Sequence, residues 1–180
     1  MARTAKASVG VGVLPARVVA KGLAAFRIFM GFTLLTNGLA KVVNKSAYDF
    51  KIVSFGLIDR GVARGLLVVY AGPKSHAPAF MKSFYNSVVL DHWAFWQYFL
   101  TAAEVTGGVL LCIGLASRFG GLIGVGLIGP LLIMTIDNGA YLFDFLPDVV
   151  PFVILALVPS GRVWGLDGRM VARFGDRWPF

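Results

Sequence analysis

Residues 92–136 decide the fold: HWAFWQYFLT AAEVTGGVLL CIGLASRFGG LIGVGLIGPL LIMTI. Two apolar runs, about 92–115 and 119–136, flank the tight turn Ala116-Ser117-Arg118. A membrane span needs about 20 mostly apolar residues, and each run approaches that length. Trp93, Phe95, Trp96 and Tyr98 open the first run, the aromatic belt of a membrane interface. Gly120, Gly121, Gly124, Gly126 and Gly129 crowd the second, and Gly120 to Gly124 forms a GxxxG. So many glycines weaken a helix in water. In lipid they let helix backbones approach closely. Pro130 is a candidate kink. The stretch therefore reads as two antiparallel membrane helices.

Working outward, an upstream run at about 18–43 follows the basic residues Arg3, Lys6, Arg17 and Lys21. Arg27 interrupts it and no A-x-A site follows, so it reads as an uncleaved first span, not a secretory signal. Downstream, Asp137-Asn138-Gly139 ends the third span, and a shorter apolar run at about 149–164 is the fourth. Residues 44–91 mix Lys45, Asp49, Lys51, Asp59, Arg60 and Arg64 with Phe50, Ile52, Phe55, Leu57 and Leu66 to Val69, and Gly72-Pro73 breaks them. A structureless loop of that length is unusual. The pattern predicts short helices lying on the membrane surface, one over Pro78–Leu90 with Phe80, Phe84 and Val88 at spacing four. The expected architecture is all-α: an integral membrane four-helix bundle with interfacial helices between the first and second spans, and no β-sheet. Residues 1–17 form a basic N-terminal segment, 18–167 the membrane domain, and 168–180 a basic C-terminal tail.

Composition agrees. Of 180 residues 57% are hydrophobic and 14% charged, against about 25% charged in an average soluble domain. The mean hydropathy is +0.76. A disordered chain, a disulfide-rich secreted domain and an ordinary soluble enzyme are excluded. The net charge of +8 comes from residues flanking apolar runs, which points to lipid headgroups and not to nucleic acid. Cys112 stands alone, which excludes an intrachain disulfide, a CxxC pair and a c-type haem site. His76 and His92 fall outside the deep apolar runs, which argues against a bis-His haem in the bilayer. Four spans place both termini on one side. That side carries nine basic residues and the other seven, mostly in one long loop. The expected location is the cell (inner or plasma) membrane, multi-pass, with cytoplasmic termini.

Ionisable groups deep in a span are costly and usually have a purpose. Arg27 lies about a third of the way into span one, and Glu104 near the middle of span two. Arg27, Gly31, Gly38 and Lys41 share one helix face; Gln97, Thr101, Glu104 and Gly108 share another. The expectation is an Arg27–Glu104 ion pair, either fixing helix register or lining a polar pocket for a quinone or a proton path. Asn37, Lys41 and Asp137, with Asn138, Asp144 and Asp148, form a second cluster: solvated helix ends, or a pocket mouth where Lys41 pairs with an aspartate. The aspartate spacing matches no metal-ligand pattern, and no metal site is expected. No P-loop, GxSxG or HExxH appears, and no catalytic residue is assigned.

These residues resemble a family. Arg27-x3-Gly31 with Asn37-Gly38-x2-Lys41 is similar to the first-helix pattern of the DoxX family of small four-helix membrane proteins. Glu104-x2-Gly107-Gly108-x-Leu110-x3-Gly114-x3-Arg118 is similar to its second-helix pattern. Gly161-x3-Gly165-Leu166-Asp167 resembles its closing Gly…Ser-Leu-Asp, with Gly165 in the place of the usual Ser. Residues 78–91 are similar to the DoxD-like branch, the small subunit of thiosulfate:quinone oxidoreductase. The resemblance implies a membrane redox setting, a quinone as the small molecule, no covalently bound cofactor, and other membrane protein subunits as partners beside the lipid bilayer. It leaves two roles: a subunit of a quinone-linked oxidoreductase complex, or a non-catalytic accessory subunit that stabilises a larger membrane assembly.

Overall fold

The computed structural model describes residues 15–49, 51, 54–135 and 142–180, the side chains of 142–145 excepted. Helix α1 (Ala16–Val43) begins after Pro15 and ends at Asn44, whose left-handed backbone (φ 55°) returns its N–H to the Ala40 carbonyl. Strands β1 (Ala47–Asp49) and β2 (Ser54–Gly56) pair antiparallel, with Tyr48 opposite Phe55. Then come α2 (Arg60–Tyr70) and α3 (Ala79–Phe84), which runs on as a π-helical turn over Tyr85–Leu90. Helices α4 (Trp93–Ile113), α5 (Ser117–Thr135) and α6 (Leu142–Leu157) follow. A 3₁₀ turn at Ser160–Arg162 and α7 (Asp167–Phe174) close the chain.

The molecule is mostly helical, and α1, α4 and α5 are long and apolar enough to cross a membrane. Helix α6 is shorter in its apolar part, Leu146–Leu157. The expected fourth span at 149–164 is corrected: helix α6 starts at Leu142 and stops at Leu157. Pro159 lacks the N–H a further turn would need and disfavours helical backbone at Val158 before it. The expectation of no β-sheet is also corrected. The β1–β2 hairpin is held by the stacked rings of Tyr48 and Phe55, 5.7 Å apart, with Lys45 over the Tyr48 ring. An aromatic cross-strand pair stabilises even three-residue strands.

Residues 79–90 are helical, but the spacing-four row read from the sequence faces outward. Phe80, Phe84 and Val88 are exposed, while the neighbouring row of Met81, Tyr85 and Val89 is buried. That buried row joins Leu67 of α2, Ala71 at its C-terminal cap and Met134 of α5 in one apolar cluster. A second cluster joins Met30 and Leu34 of α1, Leu111 of α4, and Phe152 and Leu155 of α6, with Val125, Leu127 and Ile128 of α5 against it. Helix α1 packs along α4, α4 against α5, α5 against α6, and α6 back against α1. Outward-facing residues are themselves apolar, among them Phe29, Phe32, Phe95, Phe99 and Leu157. Apolar surface this extensive is unusual on a protein surrounded by water.

The α1–α4 contact brings two helix backbones close together. A Cβ added at Gly31 would come 2.7 Å from the Cys112 nitrogen, and one at Gly108 would come 2.6 Å from the Leu35 nitrogen. Each glycine faces the other helix's backbone directly, which is how small residues bring helices together in lipid. We expect Gly108→Leu to lower unfolding stability in detergent by at least about 1–3 kcal/mol, the usual range for overpacking. Gly126, whose added Cβ meets nothing within 4 Å, should accept Ala without loss. Equal sensitivity of the two positions in a thermal melt followed by circular dichroism would contradict this packing.

Candidate functional site: two ionic clusters at opposite ends of one helix contact

The α1–α4 register places the charged side chains. Gly31 lies against Gly108, Leu111 and Cys112, and Gly38 against Glu104 and Val105. Seven residues up α1 correspond to seven down α4, as antiparallel helices of equal rise require. Arg27 therefore falls beside Gly114, ten residues from Glu104, or about 15 Å at 1.5 Å per residue. The expected Arg27–Glu104 pair is corrected by this register: the two groups belong to different clusters.

Glu104 pairs instead with Lys41. The Lys41 ammonium donates to both carboxylate oxygens, at 2.9 Å and 2.7 Å. The two side chains are 4% and 14% exposed, so a strongly hydrated pair is held almost out of solvent. Gly38 admits the Glu104 segment: its added Cβ would lie 3.1 Å from the Glu104 Cβ. The α1 terminus around Lys41 is tied down from the next elements. Arg60 Nε donates to the Lys41 carbonyl at 2.7 Å, and its guanidinium lies 5.2 Å from the Tyr98 ring centroid on α4. Asn37 accepts the Ile58 N–H through Oδ1 at 3.0 Å and donates through Nδ2 to the Thr33 carbonyl at 3.1 Å. Asp59 caps α2, accepting from Val62 N–H at 2.8 Å, and that bond holds its carboxyl below the usual carboxylate range. Asn37 and Lys41 thus sit together, Asn37 organising a connection and Lys41 neutralising Glu104. Asp137 and Asn138 lie outside the described residues, as does the Asp144 side chain.

The second cluster surrounds Arg27, which is 0% exposed. Its two terminal nitrogens donate to backbone carbonyls beyond α6: Nη1 to Ser160 at 3.2 Å and Nη2 to Trp164 at 2.9 Å. The Asp167 carboxylate is the nearby charge that offsets it. Asp167 accepts from the Ala116 and Ser117 N–H groups at 2.6 and 3.0 Å, capping the start of α5. The Leu166 and Asp167 N–H groups bond to the Ile113 and Gly114 carbonyls at the end of α4. Ser117 Oγ accepts from Gly161 N–H at 3.1 Å. Gly114 ends α4 at φ 64°, a backbone that favours glycine, and any side chain there would overlap the Arg27 guanidinium. One knot thus joins α1, the α4–α5 turn, the segment after α6, and α7.

Most donors and acceptors of the two clusters face each other or the backbone, while Arg27 Nε and Ser160 Oγ are buried without a hydrogen-bond partner among the described residues. Among the described residues, no three His, Cys, Asp or Glu side chains gather as a metal would need. Cys112 is half-buried, and its thiol points to the Ile28 carbonyl at 3.9 Å, a weak packing contact. The open depression lined by Ser75, His76, Ala77, Ala79 and Lys82 includes no member of either cluster. Sequence reasoning missed Ser117, Ser160 and the partnership of Lys41 with Glu104. The available signal was the glycines: aligning the bare faces of the two helices sets their register without any charge argument.

Breaking a buried pair from one side leaves an uncompensated charge. We expect Glu104→Leu or Lys41→Met alone to cost about 3–5 kcal/mol of stability, and the double variant to recover most of it. A double-mutant cycle read by denaturant unfolding in micelles checks this; additive losses would contradict the pairing.

No protein-family model, no characterised protein and no solved structure matches this chain.

Proposed function

We propose that the chain is a small multi-pass subunit of a larger assembly in the cell membrane, and that its own contribution is structural. In this reading α1, α4, α5 and α6 form a four-helix membrane bundle. Helices α2 and α3 lie at one interface, and the termini face the cytoplasm. The observation that carries the structural role is the burial of Arg27: it is 0% exposed, and both terminal nitrogens donate to backbone carbonyls of the segment after α6. A group built to bind a substrate keeps donors in reach of it; this one is out of solvent and ties α1 to the segment after α6.

The resemblance to the DoxX family suggests that the larger assembly is redox-active and quinone-linked. A quinone headgroup accepts hydrogen bonds, so its site needs unengaged donors in reach of the lipid. The Arg27 cluster does not fit that requirement. The Lys41–Glu104 pair fits it better, because the Glu104 side chain keeps 14% of its surface exposed. Lys41, with a third N–H, is the residue that would hold a quinone carbonyl, and Glu104 would balance its charge. The second reading, a quinone-contacting subunit, rests on that opening alone.

The test is gentle solubilisation from the native membrane, followed by sizing and identification of co-purifying subunits. The expected result is a particle well above the 19.4 kDa of this chain, with one or more membrane proteins in fixed ratio. A monomeric, partner-free preparation contradicts the assembly reading. Sustained quinol turnover by the isolated chain contradicts the structural role.

A further inference from the structure

The C-terminal segment lies beside the first half of α1, joined to it by the Arg27 bonds to Ser160 and Trp164. The C-terminal segment is folded back there. Arg162 pairs with Asp176 and donates to the Phe180 carbonyl at 3.1 Å. Trp178 meets Phe119 at the start of α5 edge to face, and Phe174 stacks on Phe180. The result is an ordered hook.

Its surface alternates cations with large aromatic side chains. Arg169, Arg173 and Arg177 are exposed. Trp164, Phe174 and Trp178 are 60%, 53% and 57% exposed. Two acidic side chains belong to the segment, and both are engaged: Asp167 is buried on the Ala116 and Ser117 N–H groups, and Asp176 is held by Arg162. Arg17 and Lys21 are two further exposed cations, on the first turns of α1. Half of α7 faces inward through Asp167, Met170 and Val171, so the arginines are carried on the opposite, outer side.

We propose that this hook is a docking surface for anionic phospholipid headgroups, which anchors the end of the molecule to a negatively charged leaflet. The surface meets two requirements of such a site. Its positive charge is complementary to an anionic leaflet. Its exposed indoles and phenyl suit the boundary between headgroups and acyl chains, where amphipathic aromatic rings settle. The surface also adjoins the turn between α4 and α5, two helices long and apolar enough to cross a membrane. The proposal rests on the reading of α1, α4 and α5 as membrane-spanning.

The experiment uses the full chain with Trp93 and Trp96 changed to Phe, leaving Trp164 and Trp178 as reporters. It is reconstituted into vesicles of phosphatidylcholine alone or with phosphatidylglycerol, one or the other lipid carrying brominated acyl chains. The expected result is at least twofold stronger quenching by brominated phosphatidylglycerol than by brominated phosphatidylcholine at equal mole fraction. Raising salt should reduce the excess. Arg169→Gln, Arg173→Gln and Arg177→Gln together should abolish it, and the matching triple Lys variant should keep it. Equal quenching by both lipids, or an unchanged excess in the triple Gln variant, overturns the proposal. Flotation separates this from failure of the membrane reading: a protein that does not float with vesicles after reconstitution refutes the spans, whereas one that floats without lipid preference refutes only the docking surface.

Discussion

Where α1 and α4 meet, no side chain separates their backbones. Gly31 faces the Leu111–Cys112 backbone and Gly108 faces Leu35, each too close to admit a methyl group. The rest of the molecule depends on this contact because it leaves the two helices only one register. A slip of one turn would drive Leu35 or Leu111 into a backbone. With the register fixed, the positions of Arg27, Lys41 and Glu104 follow from the rise of a helix. In water, burial of larger side chains would drive such a pair together. Lipid tails remove that drive, and close packing with internal polar bonds must replace it.

The two ionic clusters perform different tasks on that frame. Lys41 and Glu104 join α1 to α4 directly, and Arg60 extends the junction to α2 by capping the end of α1. Arg27 reaches across to carbonyls beyond α6, while Asp167 caps α5 and approaches the end of α4. A guanidinium suits this second position better than an ammonium, because its planar fork bonds two separate carbonyls at once. Together the clusters hold α1 near its middle, at Arg27, and near its C-terminal end, at Lys41. Arg27, Gly31, Gly38 and Lys41 on one helix, Glu104, Gly108 and Gly114 on the next, and Gly161, Gly165 and Asp167 after α6 all belong to the close contact or to one of its two clamps.

The membrane-length helices were legible in the sequence because apolar length is a local property; each run could be read without knowing its neighbours. Pairing was not local. Arg27, a third of the way into one run, and Glu104, near the middle of the other, read as partners, but the register separates them by about ten residues along the helix, beyond any side chain. The fourth helix was displaced because its apolar run continues past Pro159, and hydropathy does not register a missing N–H. The row of Phe80, Phe84 and Val88 is exposed, as an apolar face turned to lipid would be, whereas the buried row of Met81, Tyr85 and Val89 beside it is not marked by hydropathy. The β1–β2 hairpin rests on one aromatic pair, too short a signal to stand out from a loop.

Glu104 is the single glutamate of the chain, which makes the central ion pair directly measurable. Protein labelled with [5-13C]glutamate and [ζ-15N]lysine, reconstituted in bilayers, reports the carboxylate-to-ammonium distance by rotational-echo double-resonance NMR. The account predicts strong dephasing consistent with direct contact, matching N···O distances of 2.7 and 2.9 Å, and its loss in Lys41→Met. Dephasing that survives Lys41→Met, or that appears with guanidinium-labelled arginine in place of lysine, would contradict the register on which the whole account stands.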